Sequence, residues 1–150
     1  MARIEEELMS RFESEQHKAF LNILFTANWF RTQQMRLLAD AGISPQQYNI
    51  LRILRGARGD RMSMQQVKAR MIERSPNATR LTDKLIAGKF VQRDRCEEDR
   101  RVVYVSITPA GLDLLTRLDR RIRPVMRELE ERVGNAEAAA LNQVLDKFRG

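Results

Sequence analysis

The sequence contains one cysteine, one histidine, one tryptophan and only four prolines in 150 residues. A lone cysteine, Cys96, closes no disulfide within the chain, so packing alone must hold the fold. A lone histidine, His17, leaves no imidazole pair for a zinc site, and neither HExxH, CxxC nor a glycine-rich phosphate loop occurs. No run approaches the ~20 apolar residues that span a bilayer. Met1 to Ser10 alternates acids with Leu8 and Met9, unlike a basic-then-apolar leader. The expectation is a soluble protein of the reducing cytoplasm, off the membrane, with no metal, cofactor or catalytic centre. Glu5-Glu6-Glu7 and Glu97-Glu98-Asp99 read as solvated carboxylates rather than metal ligands, and His17 as a surface or interface residue rather than a base.

What the sequence does have is length for a core and an excess of positive charge. A chain of this size buries roughly 70% of the surface that its unfolded form exposes. The net charge is +7, and it is unevenly placed. Residues 61–108 carry eleven Lys/Arg against six Asp/Glu, while residues 1–40 carry five against six and residues 109–150 eight against seven. A basic middle on a near-neutral scaffold is the footprint of a polyanion-binding module, although a solvated basic surface would look the same.

The hydrophobic pattern is mostly helical. Phe12, Ala19, Phe20, Ile23, Leu24, Ala27, Phe30, Met35 and Leu38 keep a 3.6-residue period with no Pro or Gly between them, predicting one long helix from Leu8 to Ala39. Ser44-Pro45 starts the next, which runs to Gly56 before a turn at Gly59-Asp60. Met64 to Glu73 predicts a short helix burying Met64, Val67 and Met71. Ser75-Pro76 leads into another over Asn77 to Ala87, burying Ala78, Leu81 and Leu85.

The period then changes to two. Phe90 to Arg95 and Val102 to Ile107 read as a hairpin whose tip, Cys96 to Arg101, places five charges in six positions. Thr108-Pro109 launches a helix toward Val133, which Pro124 should kink, and Asn135 reads as the cap of a last helix through Phe148.

Helix, tight turn, helix and charged hairpin make the order of a winged helix-turn-helix. In that module the second helix lies in the major groove and the hairpin reaches toward the neighbouring groove. Its strands must be apolar to dock on the core, and its tip cationic to meet phosphates or a narrow minor groove. With Ala78, Leu81 and Leu85 inward, the outward positions include Asn77, Thr79, Arg80, Asp83 and Lys84. Arg pairs bidentately with guanine and Asn with adenine, so Asn77, Thr79, Arg80 and Lys84 are candidate DNA contacts. Ser75 ahead of the helix and the hairpin cations Arg95, Arg100 and Arg101 join them. The same face would be polar in any solvated helix.

SPQQYNILRIL, SPNATRLTDKL, FVQRD and the spacing D-R-R-x-x-x-V-x-I-T-x-x-G from Asp99 to Gly111 together resemble the MarR (multiple antibiotic resistance regulator) family of bacterial transcriptional regulators. The resemblance covers nearly the whole chain as a single domain, mainly α with a small β-hairpin wing. It implies a winged helix-turn-helix lobe at 44–108, with dimerisation helices at 1–40 and 109–150. It assigns Arg101 to the minor groove and Asp99 to holding the wing tip. One departure concerns Lys89, where the family usually has Gly. Either the helix ends a residue sooner or Lys89 takes a left-handed conformation.

The implied function is a ligand-responsive repressor that binds a pseudo-palindromic operator as a homodimer. Leu115, Leu118, Ile122, Val125 and Leu129 form a seam suited to helix pairing or to intrachain packing. Ile4, Leu8 and Phe12, and Leu141, Val144, Leu145 and Phe148, add apolar surface at the two ends. A small aromatic or anionic effector is implied, with Phe25, Trp29, Phe30, Tyr48 and Arg52 as candidate lining, although such a stripe also suits a core. Cys96, beside cations, reads as either inert or oxidisable. The alternative function is a dimeric winged-helix module that binds an acidic protein or RNA without operator specificity.

Overall fold

A computed structural model describes residues 2–74, 77–95 and 102–150. The chain forms two compact units, Met1–Pro45 and Gln46–Gly150.

In the first unit, the long helix expected from Leu8 to Ala39 is interrupted. Helix α1 (Ile4–Leu8) stops where Met9 takes a left-handed conformation at φ 48°, and α2 (Glu15–Leu38) starts afresh. The restart is local chemistry: Ser14 Oγ accepts from the His17 N–H at 3.1 Å. A serine that can satisfy a free amide competes with helix continuation and sets a boundary that the apolar period does not reveal. An ion pair between Lys18 and Glu5 ties α2 to α1. A single 3-10 turn, Ala39–Ala41, closes the unit, with Gly42 at φ 65°.

The second unit carries the remaining elements. Helix α3 (Pro45–Gly56) begins at the unit boundary and buries Ile50, Leu51 and Leu54. A two-residue strand β1 (Met62–Ser63) leads into α4 (Met64–Arg70). Helix α5 (Ala78–Ala87), strands β2 (Val91–Arg95) and β3 (Val103–Ile107), and helices α6 (Pro109–Arg132) and α7 (Asn135–Arg149) follow. The strands form an antiparallel sheet in the order β1-β3-β2, with Met62 opposite Val105, Ser63 opposite Tyr104 and Val91 opposite Ile107. Val91 and Val105 turn to the core, and Ser106 beside Val105 is buried with them. Arg55 forks onto Asp119 at 2.6 and 3.4 Å, joining α3 to α6.

Several expectations need correction. The hairpin gains a third strand, β1, whose two residues are too short to show a period. Helix α4 ends at Arg70 rather than Glu73, and Met64 is only half-buried. On α5 the inward stripe is Ala78, Thr82 and Leu85, while Leu81 is only half-buried. Thr82 tolerates complete burial because its hydroxyl donates to the Ala78 carbonyl at 2.8 Å. Gly134, not Asn135, occupies the cap of α7, and its N–H donates to Glu137 at 2.9 Å. Leu115 and Leu118, offered as part of a pairing seam, are buried within the single chain.

The junction of α5, β2 and α6 settles the question at Lys89. Gly88 stays right-handed at φ −76°, and Lys89 is left-handed at φ 61°. The turn brings the Lys89 carbonyl to the Thr108 hydroxyl at 2.7 Å and the Phe90 carbonyl to the Thr108 N–H at 3.0 Å. Thr108 also caps α6, its Oγ accepting from the Gly111 N–H at 3.1 Å. A Cβ on Gly111 would lie 2.3 Å from the Phe90 carbonyl oxygen, so only glycine fits. The Thr-x-x-Gly spacing is therefore a clamp that fixes the root of the wing against the start of α6.

Candidate nucleic-acid interface

Helix α5 buries one stripe and leaves the rest of its surface to solvent. Asn77 occupies the N-cap position, and Asn77, Thr79, Arg80, Asp83 and Lys84 are all exposed. Four residues offered as DNA contacts, Asn77, Thr79, Arg80 and Lys84, thus share one element and its leading end. Asp83 forms an ion pair with Arg93 of β2, so the helix and the first wing strand are tied directly. Ser75, Cys96, Asp99, Arg100 and Arg101 lie outside the described residues, and so does the side chain of Arg95, whose backbone ends β2.

The residues that position α5 were not singled out from the sequence. Three polar side chains from the start of α3 reach across. Asn49 Oδ1 accepts from the Ile72 N–H at 3.0 Å. Gln46 Nε2 donates to Glu73 Oε2 at 3.0 Å. Gln47, itself buried, donates to the Leu81 carbonyl of α5 at 3.4 Å. These pairs are 23 to 34 residues apart in sequence, so no local spacing exposes them. A nearer signal existed at the other end of α4. Ser63-x-x-Gln66 is a capping box, with Ser63 Oγ accepting from Gln66 N–H at 3.2 Å and Gln66 Oε1 accepting from Ser63 N–H at 2.9 Å. At the sheet edge the Arg61 guanidinium lies 4.6 Å above the Tyr104 ring.

The residues offered for an effector fall on separate units. On α2, Phe25 is half-buried, while Trp29 and Phe30 are substantially exposed, their rings meeting edge to face at 5.0 Å. On α3, Tyr48 is buried, and its hydroxyl accepts from Arg52 at 3.1 Å. His17 is half-buried at the start of α2, its Nδ1 accepting from the Glu13 N–H at 3.4 Å, a helix-end role. Among the described residues no cluster of His, Cys, Asp or Glu is arranged to hold a metal ion, and no helix is long and apolar enough to cross a membrane.

An α3-α4-α5 core with a three-stranded wing pinned to its third helix defines a winged-helix DNA-binding protein. The family model described as MarR family matches residues 43–103. The chain is similar to a MarR transcription factor from Planctomyces limnophilus, with 32% identity, covering 91% of this chain and 98% of that one at a TM-score of 0.70. A mutant MarR from E. coli complexed with operator DNA shares the fold at 19% identity, covering 98% and 99% of the two chains with a TM-score of 0.73. AbsC from Streptomyces coelicolor, a MarR family transcriptional regulator, does so at 21% identity, covering 93% and 96% with a TM-score of 0.75. No curated protein sequence matches significantly. The chain belongs to the MarR family: it is a DNA-binding transcriptional regulator.

Proposed function

We propose that the chain is a cytoplasmic repressor that binds a pseudo-palindromic operator as a homodimer and releases it in response to a small aromatic or anionic ligand. The observation that carries the sequence-specific reading is the exposed face of α5. Asn77, Thr79, Arg80 and Lys84 offer donors and acceptors suited to base edges and phosphates, with no apolar anchor among them. A module built to hold an acidic protein would be expected to place apolar side chains there, so DNA is favoured over the alternative partner. Arg95, Arg100 and Arg101 are proposed to meet the adjacent backbone or minor groove, Ser75 to contact phosphate, and Asp99 to orient the tip.

The dimer is supported by α7, a 15-residue helix without a buried residue. Leu141, Val144 and Phe148 recur on it at helical spacing, each about half exposed. An amphipathic helix with its apolar face in water needs a partner. A two-fold dimer supplies one from a second copy and sets two α5 helices about one DNA turn, roughly 34 Å, apart. The ligand response rests on the family and on the aromatic residues of α2 and α3. Genome-wide mapping of bound DNA tests the proposal: a shared two-fold motif supports it, and binding without any common sequence contradicts it.

A further inference from the structure

The turn between α4 and α5 is held in an unusual way for a segment that must present a reading helix. Met71 is buried, but the next residue, Ile72, is 91% exposed, and Glu73 and Arg74 are also exposed. Buried apolar side chains thus stand where the turn leaves α4 and where α5 begins, at Met71 and Ala78, and Ile72 to Arg74 face solvent. At Met71 the backbone leaves the helix into an extended conformation, φ −68° and ψ 138°. The Ile72 N–H finds its partner in Asn49 Oδ1 rather than in a backbone carbonyl. Gln46 holds the Glu73 carboxylate one residue later, and Gln47 reaches the Leu81 carbonyl on α5 itself.

We infer that Asn49, with Gln46 and Gln47, forms a clasp on α3 that sets the angle at which α5 meets DNA, making these three side chains specificity-determining positioning residues. They touch no base. They act by fixing the turn and the helix that follows it, so that Arg80 and its neighbours arrive in register with base edges. Bidentate base contacts demand a fixed approach, whereas phosphate contacts made by long cationic side chains tolerate a looser one. Loss of the clasp should therefore cost discrimination before it costs general DNA affinity. The inference rests on the reading of α5 as the recognition helix.

Asn49→Leu removes the acceptor while keeping the number and branching of the side-chain heavy atoms, and Asn49→Asp keeps an acceptor at the same place while adding a negative charge. The full-length variants are titrated against a cognate duplex, recovered by mapping of bound DNA, and a scrambled duplex. Asn49→Leu is expected to weaken cognate binding about tenfold, the scale of one lost hydrogen bond. Scrambled binding should change little, the melting temperature should fall by only a few degrees, and the Ile72 amide should lose protection from hydrogen exchange. Asn49→Asp should weaken both duplexes evenly and keep their ratio.

Gln46→Met, which removes the hydrogen bond to Glu73 without touching the core, should lower the ratio in the same direction, and it serves alone if Asn49→Leu does not fold. Arg80→Ala is measured beside them. A wild-type ratio in Asn49→Leu and Gln46→Met next to a collapsed ratio in Arg80→Ala overturns the clasp alone. Wild-type ratios in all three overturn the reading of α5 beneath it. Equal loss on both duplexes with a lowered melting temperature reduces the clasp to a structural support and overturns the inference.

Discussion

The Thr108 hydroxyl donates to the Lys89 carbonyl at 2.7 Å, joining the left-handed residue between α5 and the wing to the cap of the helix that follows the wing. The two residues are 19 apart in sequence, and between them lies the whole hairpin. One side chain thus ends the hairpin and begins α6, and the aim of the wing is referred to that helix.

Gly111 is the tightest part of this clamp. Gly111→Ala places a Cβ against the backbone of Phe90, which cannot swing aside as a side chain could. It should destabilise the protein by roughly 2–3 kcal/mol, the upper part of the range for overpacking. Thr108→Ala, which loses the cap of α6, should cost about 1 kcal/mol. Denaturant unfolding measures both, and Gly111→Ala should be the more damaging.

Lys89 pays the opposite penalty. A left-handed non-glycine residue costs roughly 1–2 kcal/mol, offset in part by the greater entropy that glycine loses on folding. Lys89→Gly should therefore raise stability by about 0.5–1 kcal/mol, read as a higher denaturant midpoint at unchanged slope. A loss of stability would mean that the lysine side chain makes a compensating contact.

Glu5 and Lys18 give the first unit a pH dependence. The hydrogen bond from Lys18 lowers the Glu5 pKa below the ordinary glutamate value, and the same bond raises that of Lys18. The contribution of Glu5 is present above its unfolded pKa and lost as pH falls through its lower folded value. That of Lys18 is present below its unfolded pKa and lost as pH rises through its higher folded value. An NMR titration should find the Glu5 carboxyl midpoint depressed, and Lys18→Met should move it back up.

The exposed face of α7 predicts the assembly. Removing residues 136–150, or introducing Leu141→Glu with Phe148→Glu, should yield monomer or aggregate with weakened operator binding. Light scattering showing an unchanged soluble dimer for either would contradict dimerisation through this end.

How much was legible in the sequence followed how local each cause is. Ser44-Pro45 and Thr108-Pro109 announced α3 and α6 because a cap and a first-turn proline act within four residues. The period of two located β2 and β3, and the outward residues of α5 followed from its stripe. The break at Met9 to Ser14 stayed hidden because no Pro or Gly marks it, and a serine cap resembles any other serine. Strand β1 exists only through its pairing with β3, more than 40 residues away. The burial of Thr82 rests on the bond from its hydroxyl to the Ala78 carbonyl, which a stripe of apolar residues does not include. The bonds from Gln46, Gln47 and Asn49 to the turn and α5 are tertiary, and polar residues on a helix give no hint of their partners.

The most direct test of the central claim is an equilibrium titration of wild type and Arg80→Ala against the cognate and scrambled duplexes over a series of salt concentrations. If the exposed face of α5 reads sequence, Arg80→Ala loses about 1–3 kcal/mol on the cognate duplex, much less on the scrambled one, and relaxes preference at one base position. Equal weakening on both duplexes, with the whole effect vanishing at high salt, would show Arg80 to be a phosphate contact and would contradict sequence reading by this helix.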